Sequence, residues 1–325
     1  MAAIMQFTIA NRGGNLSVPK LSRDFLMERA AKMGFANPRF LARADLGPGE
    51  SKTLYIDRFT QLVDTSTVPL VEGGNVPYTD FTIDRETLLV DTYGIGVQFT
   101  EDVEVYGTMK ISPRIRELLG INWRRVQDTL AANQFKATPV RMVPQGTAAA
   151  PTFNFTLTGA FAGAATRDVQ AEDLIEARAY LSSVLHAEPF PDGYYYVIAH
   201  GSAIAKFRRS TTFREDMRAS QFVRQAFIEG EIGVYEGCRI FEDNYQLTRV
   251  LGTTTNQGEF VIFGRDTVFY GEITAPEVRF NRGEASFNLN KALAWVGRYG
   301  YQLAWADQTG AATAGRNTGI YVGST

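Results

Sequence analysis

The amino-acid sequence predicts an α+β fold, and three stretches of the chain carry that prediction. Tyr93-Gly-Ile-Gly-Val-Gln-Phe99 alternates strictly, with Tyr93, Ile95, Val97 and Phe99 on one face, as in a β-strand. Downstream, Ile115, Leu118, Leu119, Trp123, Val126 and Leu130 recur at spacings of three and four, the pattern of an amphipathic helix. Residues 277–304 read as two long strands with a glycine-containing turn near Asn281-Arg-Gly283.

Taken in order, the chain opens on a dozen residues of unclear periodicity ended by Gly13-Gly14. A short helix is expected next, capped by Ser22, with Phe25, Leu26, Ala30 and Met33 on one face and Gly34 at its C-terminus. Gly47-Pro48-Gly49 breaks the chain. Residues 52–99 then read as extended: a β-forming run over 53–63, a turn-rich tip from Val68 to Tyr78, and a second run over 81–90 leading into the alternating strand. On that strand the face opposite Tyr93 begins with Gly94 and Gly96, which invites close approach by another backbone. The pair resembles a long hairpin, a structure marginal by itself and therefore expected to lean on something else.

The long helix starts with Ser112 as N-cap and Pro113 at the first helical position, and stops before Pro139. At 1.5 Å per residue it is a strut of roughly 36 Å. Residues 141–166, rich in Ala, Thr, Gly and Phe, read as a loop or small insertion. An α/β stretch follows. It comprises a helix over 173–185 with Leu174, Ala177, Leu181, Val184 and Leu185 on one face, a turn at Pro191-Asp-Gly193, a buried strand over 194–199, a helix opened by Ser202 and a helix over 213–228. Short strands are expected at 232–235, 239–241, 260–263 and 267–270, and the Gly/Thr/Ala-rich tail from Asp307 as loosely held.

Composition bounds the function. Hydrophobic residues make up 45% and charged residues 21% of the 325, ordinary for a folded soluble protein. Thirty-three basic against thirty-five acidic residues give a net charge of -2, without the basic excess of a dedicated nucleic-acid binder. The single cysteine, Cys238, excludes an intrachain disulfide and any cysteine-rich metal site. No secretory signal and no apolar run of membrane-spanning length is visible, so folding in a cytoplasm is expected.

The search for chemistry returns little. His186 and His200 lie in no metal-binding pattern; His200, after an apolar strand, reads as a junction residue in preference to a general base. Cys238 reads as a buried small hydrophobe. The Tyr93-Gly-x-Gly stretch lacks a dinucleotide fingerprint's third glycine and following helix, and no P-loop exists. Glu101, Asp102 and Glu104 read as a solvated acidic turn, since calcium needs six to eight shaped oxygens. The basic residues Lys206, Arg208, Arg209, Arg214, Arg218 and Arg224 lack interleaved aromatics for base stacking and read as a solvated or subunit-facing helical surface. No nucleophile–base–orienter set emerges, and no catalytic, cofactor or metal residue is assigned.

This order of elements resembles the Hong Kong 97-type coat-protein fold, that of the major capsid proteins of tailed bacteriophages. Three phrases add to it. Pro69-Leu-Val-Glu-Gly-Gly resembles the tip that precedes the second arm of the extended loop (E-loop) in many phage coat proteins. Glu231-Ile-Gly-Val-Tyr-Glu-Gly-Cys-Arg-Ile-Phe is similar to a strand pair of their axial (A) domain, and Glu259-Phe-Val-Ile-Phe-Gly-Arg-Asp-Thr-Val-Phe to the strand after it. The resemblance spans roughly 45–305 and is nearest the coat family of N4-type podophages.

The resemblance implies an N-terminal arm over 1–47, an E-loop over 48–92, a peripheral (P) domain over 93–140 and 272–306 containing the spine helix, an insertion over 141–166, an A domain over 167–271 and a tail over 307–325. It implies a major capsid protein that is no enzyme, needs no cofactor and self-assembles as hexamers and pentamers into the icosahedral shell around a double-stranded DNA genome. The implied partners are other copies of the chain, a scaffolding protein, a portal protein, a decoration protein and, non-specifically, the packaged DNA, with no membrane. A separate scaffold is implied because the sequence begins directly with the arm. The setting is the virion, and the host cytoplasm during assembly. Subunit-interface candidates are Pro69, Leu70, Glu72 and Gly73 at the E-loop tip and Arg208, Arg209, Arg214 and Arg218 in the basic run. Lys52 lies near the base of the loop, so the lysine cross-link of some members is not carried over. Two alternatives stay open: an encapsulin-like nanocompartment shell, and an α+β enzyme whose site carries no recognisable motif.

Overall fold

The computed structural model describes residues 34–45, 51–59, 73, 74, 76, 78, 81, 83–105, 111–210, 231–249, 258–281, 290–305 and 318–324. The helices expected over 22–34 and 213–228 and the turn near 281–283 lie outside or at the edge of these residues, as does most of the hairpin tip.

Three sheets organise the described chain. A four-stranded sheet has the order β1 (Leu41–Asp45), β11 (Val268–Asn281), β12 (Asn290–Leu303), β4 (Asp91–Thr100). A seven-stranded sheet runs β6 (Pro151–Thr156), β5 (Arg141–Gly146), β13 (Gly319–Val322), β10 (Phe260–Phe263), β7 (Tyr195–Ala199), β9 (Cys238–Glu242), β8 (Glu231–Tyr235). A separate antiparallel pair is β2 (Thr53–Phe59) with β3 (Ile83–Leu89). The helices are α1 (Glu101–Val105), α2 (Ile111–Lys136), α3 (Ala171–Ser183) and α4 (Gly201–Phe207).

The period of two along each strand divides the seven-stranded sheet into two buried faces. Tyr195, Val197, Ala199, Phe260, Ile262 and Ile320 join Leu174, Leu181 and Phe207 of α3 and α4 in one core. Tyr196, Ile198, Phe241, Val261, Phe263 and Tyr321 point the other way. There they meet Phe35 and Phe40 of the N-terminal segment and Phe135 near the end of α2, whose ring lies 4.6 Å from that of Phe263. The same α2 covers the four-stranded sheet with Ile115 and Leu119, against Leu293, Trp295 and Tyr299. Trp295 Nε1 donates to Asn122 Oδ1 at 3.0 Å, and Leu303 N donates to Gln134 Oε1 at 3.2 Å. With 26 residues, α2 is the strut that ties both sheets together.

Several expectations need correction. The helix begins at Ile111, so Ser112 is not its N-cap; its hydroxyl donates to Glu104. Leu118 is 51% exposed and belongs to the solvent side, because Leu119 and Ile115 already fill the sheet-facing stripe. The stretch over 141–166 is no plain loop: β5 and β6 form a hairpin turned by Gly146 at φ 83°, where a Cβ would meet Ala150 O at 2.5 Å. The helix expected to open at Ser202 is capped instead by His200, whose Nδ1 accepts from Ser202 N at 3.1 Å. The piece at 267–270 is the start of the long strand β11 and not separate from it, with register shifts between Glu272 and Glu277 beside Pro276. Far from being loosely held throughout, the tail returns as β13 in the interior of the seven-stranded sheet.

Candidate assembly surface

The register of β2 and β3 decides which side chains share a face, because directly opposed residues lie on the same side. Leu54 with Leu88 and Ile56 with Glu86 form one face. Leu88 is fully buried, and with Leu54 and Ile56 it packs on Phe269 and Ile273 of β11. Glu86 Oε1 accepts from Gln302 Nε2 at 2.8 Å, and Val90 N closes the base on Lys52 O at 3.0 Å. Gly300 makes this seat possible: a Cβ there would stand 2.2 Å from the Leu89 carbonyl oxygen.

The opposite face turns to solvent. Thr53/Leu89, Tyr55/Thr87, Asp57/Arg85 and Phe59/Ile83 lie along it. Tyr55, Phe59 and Phe81 are 57%, 70% and 63% exposed, and the rings of Phe59 and Phe81 lie 6.3 Å apart. Between the apolar groups Arg85 grips Asp57 at 2.6 and 3.1 Å, while its guanidinium sits 4.9 Å from the centre of the Tyr55 ring. The hydrogen-bonded guanidinium holds the Asp57 carboxyl below the usual carboxylate range. An exposed pair of this kind adds little stability but orders the side chains around it. Seven residues at about 3.3 Å each make the stripe roughly 23 Å long. A second exposed apolar group flanks α2 on the four-stranded sheet: Ile95 on one side of Trp295, Val278 and Phe280 on the other.

Candidates for chemistry resolve into structural roles. His200 is the α4 cap, and burial lowers its pKa. Burial pushes the Cys238 thiol up to about 12, so it packs and does not react. The acidic cluster forms the short helix α1 and is ion-paired: Lys291 Nζ lies 3.1 Å from Glu101 and 3.0 Å from Glu104. Among the described residues no group of His, Cys, Asp and Glu has the arrangement of a metal site, and no helix is long and apolar enough to cross a membrane.

One feature of the junction between sheets has no signal in the sequence. Asp128 of α2 and Asp243 after β9 are both buried. Asp128 Oδ1 accepts from Ala36 N at 3.0 Å, and Asp243 Oδ2 from Gly34 N at 2.8 Å. Asp243 Oδ1 also takes the N–H groups of Tyr245 and Gln246, at 2.9 and 2.7 Å. Burial first, then the neighbouring Asp243, raises the Asp128 pKa to about 7.

Of the interface candidates, Gly73 is exposed at φ 80° with open space around it, and Arg208 and Arg209 are exposed just past α4. Lys206, beside them, pairs with Asp168. Pro69, Leu70, Glu72, Arg214 and Arg218 lie outside the described residues. Tyr55, Phe59 and Phe81, which the structure brings together, were not singled out from sequence. Over 53–59 the sequence carries a signal for this face, since Leu54 and Ile56 on one side and Tyr55 and Phe59 on the other leave no clean alternation.

A protein-family model described as "Phage capsid protein" matches residues 85–314, more than half of the chain. No curated protein matches the sequence. Among solved structures, the chain is similar to the capsid of the cyanophage P-SCSP1u, at 13% identity and a TM-score of 0.64, covering 96% of this chain and 94% of that one. It is similar to the capsid of Ralstonia phage GP4, at 11% identity and a TM-score of 0.62, covering 94% and 96%. For the head of Helicobacter pylori bacteriophage KHP40 the identity is 10%, the TM-score 0.62, and the coverage 100% and 99%. At such identities these likenesses speak for the fold.

Proposed function

Because this chain belongs to the phage capsid protein family, and is therefore a structural subunit of the icosahedral shell and not an enzyme, we propose that the outward face of the β2–β3 hairpin lies on a neighbouring subunit and closes the hexamers and pentamers of that shell. The observation that carries this reading is the stripe of Tyr55, Phe59, Ile83, Phe81 and Leu89, exposed while the other face of the hairpin is anchored on β11. Ring closure needs two different surfaces, one meeting the other next door. The stripe supplies one; the flank of the four-stranded sheet with Val278 and Phe280 is the natural second. An unpaired hairpin with exposed aromatics is a liability for a monomer and an asset for a subunit whose partner is another copy.

In this reading the four-stranded sheet with α2 is the peripheral unit and the seven-stranded sheet with α3 and α4 the axial one. The exposed Arg208 and Arg209 and the loop tip around Gly73 are further interface positions. A scaffolding protein, a portal protein and a decoration protein are proposed partners, and the host cytoplasm is the proposed site of assembly. A net charge of -2 supports only weak, sequence-free contact with the enclosed DNA. Deleting residues 66–77 tests the hairpin's role. The variant is expected to keep its far-ultraviolet circular dichroism and melt cooperatively, yet to form no shells; intact shells from it would remove the hairpin from the mechanism.

A further inference from the structure

We propose that the gap between β10 and β5 is a binding slot for an extended peptide, that its ligand is this chain's own segment Thr318–Ser324, and that seating this strand is the last step before a subunit can join a shell. The last clause rests on the shell reading; the first two stand without it. In the seven-stranded sheet β13 lies between strands that precede it by many residues, and apart from β6 in its own hairpin β5 has β13 as its strand partner. The β5–β6 hairpin therefore cannot join the sheet until 319–322 are in place. Until then the facing edges of β10 and β5, buried in the finished fold, carry unpaired N–H and C=O groups.

The slot reads both backbone and side chains, as strand-addition sites do. Four residues of β13 pair with Phe260–Phe263. On the other side Tyr321 N donates to Val140 O at 3.1 Å and Gly323 N to Met142 O at 3.2 Å. Both ends are latched: Thr138 Oγ1 donates to Gly319 O at 2.8 Å, Gly264 N to Thr318 O at 2.8 Å, and Ala165 N to Ser324 Oγ at 2.8 Å. Ile320 and Val322 are fully buried in one core. Tyr321 enters the other, its ring 5.3 Å from that of Phe161. A side chain at 323 would place its Cβ 2.7 Å from the end of the Phe161 ring, so that ring must move to admit one.

The test uses a chain ending at residue 317 and a synthetic peptide of residues 317–325, read by hydrogen exchange on the subunit and by electron microscopy for shells. Saturable binding should slow exchange over 140–146 and 260–263 about tenfold or more, and shells should appear only with the peptide. A peptide carrying Ile320→Asp, which would set a charge in a fully buried site, should do neither. Full protection at 141–156 or shells without peptide would overturn the proposal, as would unchanged exchange at saturating peptide. Restored protection without shells would sustain the slot and strike the assembly step. Should the shortened chain not fold, the full chain decides: in mild denaturant 141–156 and 318–324 should lose protection together and before 195–199, and a hairpin that outlasts β13 would refute the slot.

Discussion

Asp128 and Asp243 set two buried carboxyl groups against each other where the N-terminal segment, α2 and the loop after β9 meet. Asp128 holds its proton more tightly in the folded protein than in the unfolded chain, so that proton stabilises the fold. The contribution is complete below the unfolded carboxylate range and is lost as pH rises towards about 7. Among the described residues, titratable groups that sense the pair include Tyr301 of β12, beside Asp128, and His200, beside Asp243. Asp128→Asn keeps an acceptor for Ala36 N and removes the titration. Urea unfolding of the dissociated subunit should therefore show wild-type stability falling between about pH 4 and 7 by on the order of 2–4 kcal/mol, and the variant should flatten that slope; parallel profiles would show that the pair does not titrate. Gly300 is a second residue-scale test. With Leu89 O 2.2 Å from the position of a Cβ, Gly300→Ala must shift the hairpin base and should lower subunit stability by about 1–3 kcal/mol in chemical denaturation.

At the scale of elements, the hairpin should separate stability from assembly. Leu88→Ala empties a fully buried site and should destabilise the subunit by roughly 2–4 kcal/mol. Phe59→Ser, on the exposed face, should leave its melting nearly unchanged, within about 0.5 kcal/mol, while lowering the yield of sedimenting shells severalfold. A matched loss of stability for both would contradict the two-faced reading. Much of this element plan is legible in the sequence because it rests on local periodicity. The alternation of Tyr93–Phe99 and the Ile115–Leu130 stripe both reappear, as β4 and α2. The strand expected over 194–199 reappears as β7, and the short strands expected at 232–235 and 239–241 as β8 and β9, joined at Glu236-Gly237, where both residues have positive φ. What failed depends on distant partners. β5, β6 and β13, with six, six and four residues, are too short for their periodicity to announce them; β13 is a strand because it fills the place between β10 and β5. Ser112 looked like a cap until Glu104, across an undescribed connection, claimed its hydroxyl. The carboxyl pair unites residues 115 positions apart in sequence, 128 and 243, which no spacing rule reaches.

At the scale of the whole molecule and among the described residues, the seven-stranded sheet with both faces covered is a closed core, whereas the β2–β3 hairpin and the flanks of α2 present exposed apolar groups. That asymmetry is what a shell subunit needs, and the near-neutral charge lets copies approach without strong mutual repulsion. The most direct measurement is electron microscopy, at side-chain resolution, of shells formed when the chain is co-expressed with a scaffold candidate. The account predicts closed shells in which Tyr55, Phe59 and Phe81 of each subunit are buried against another copy. Closed shells with that face left in solvent would contradict it, as would only small species at every scaffold ratio tried.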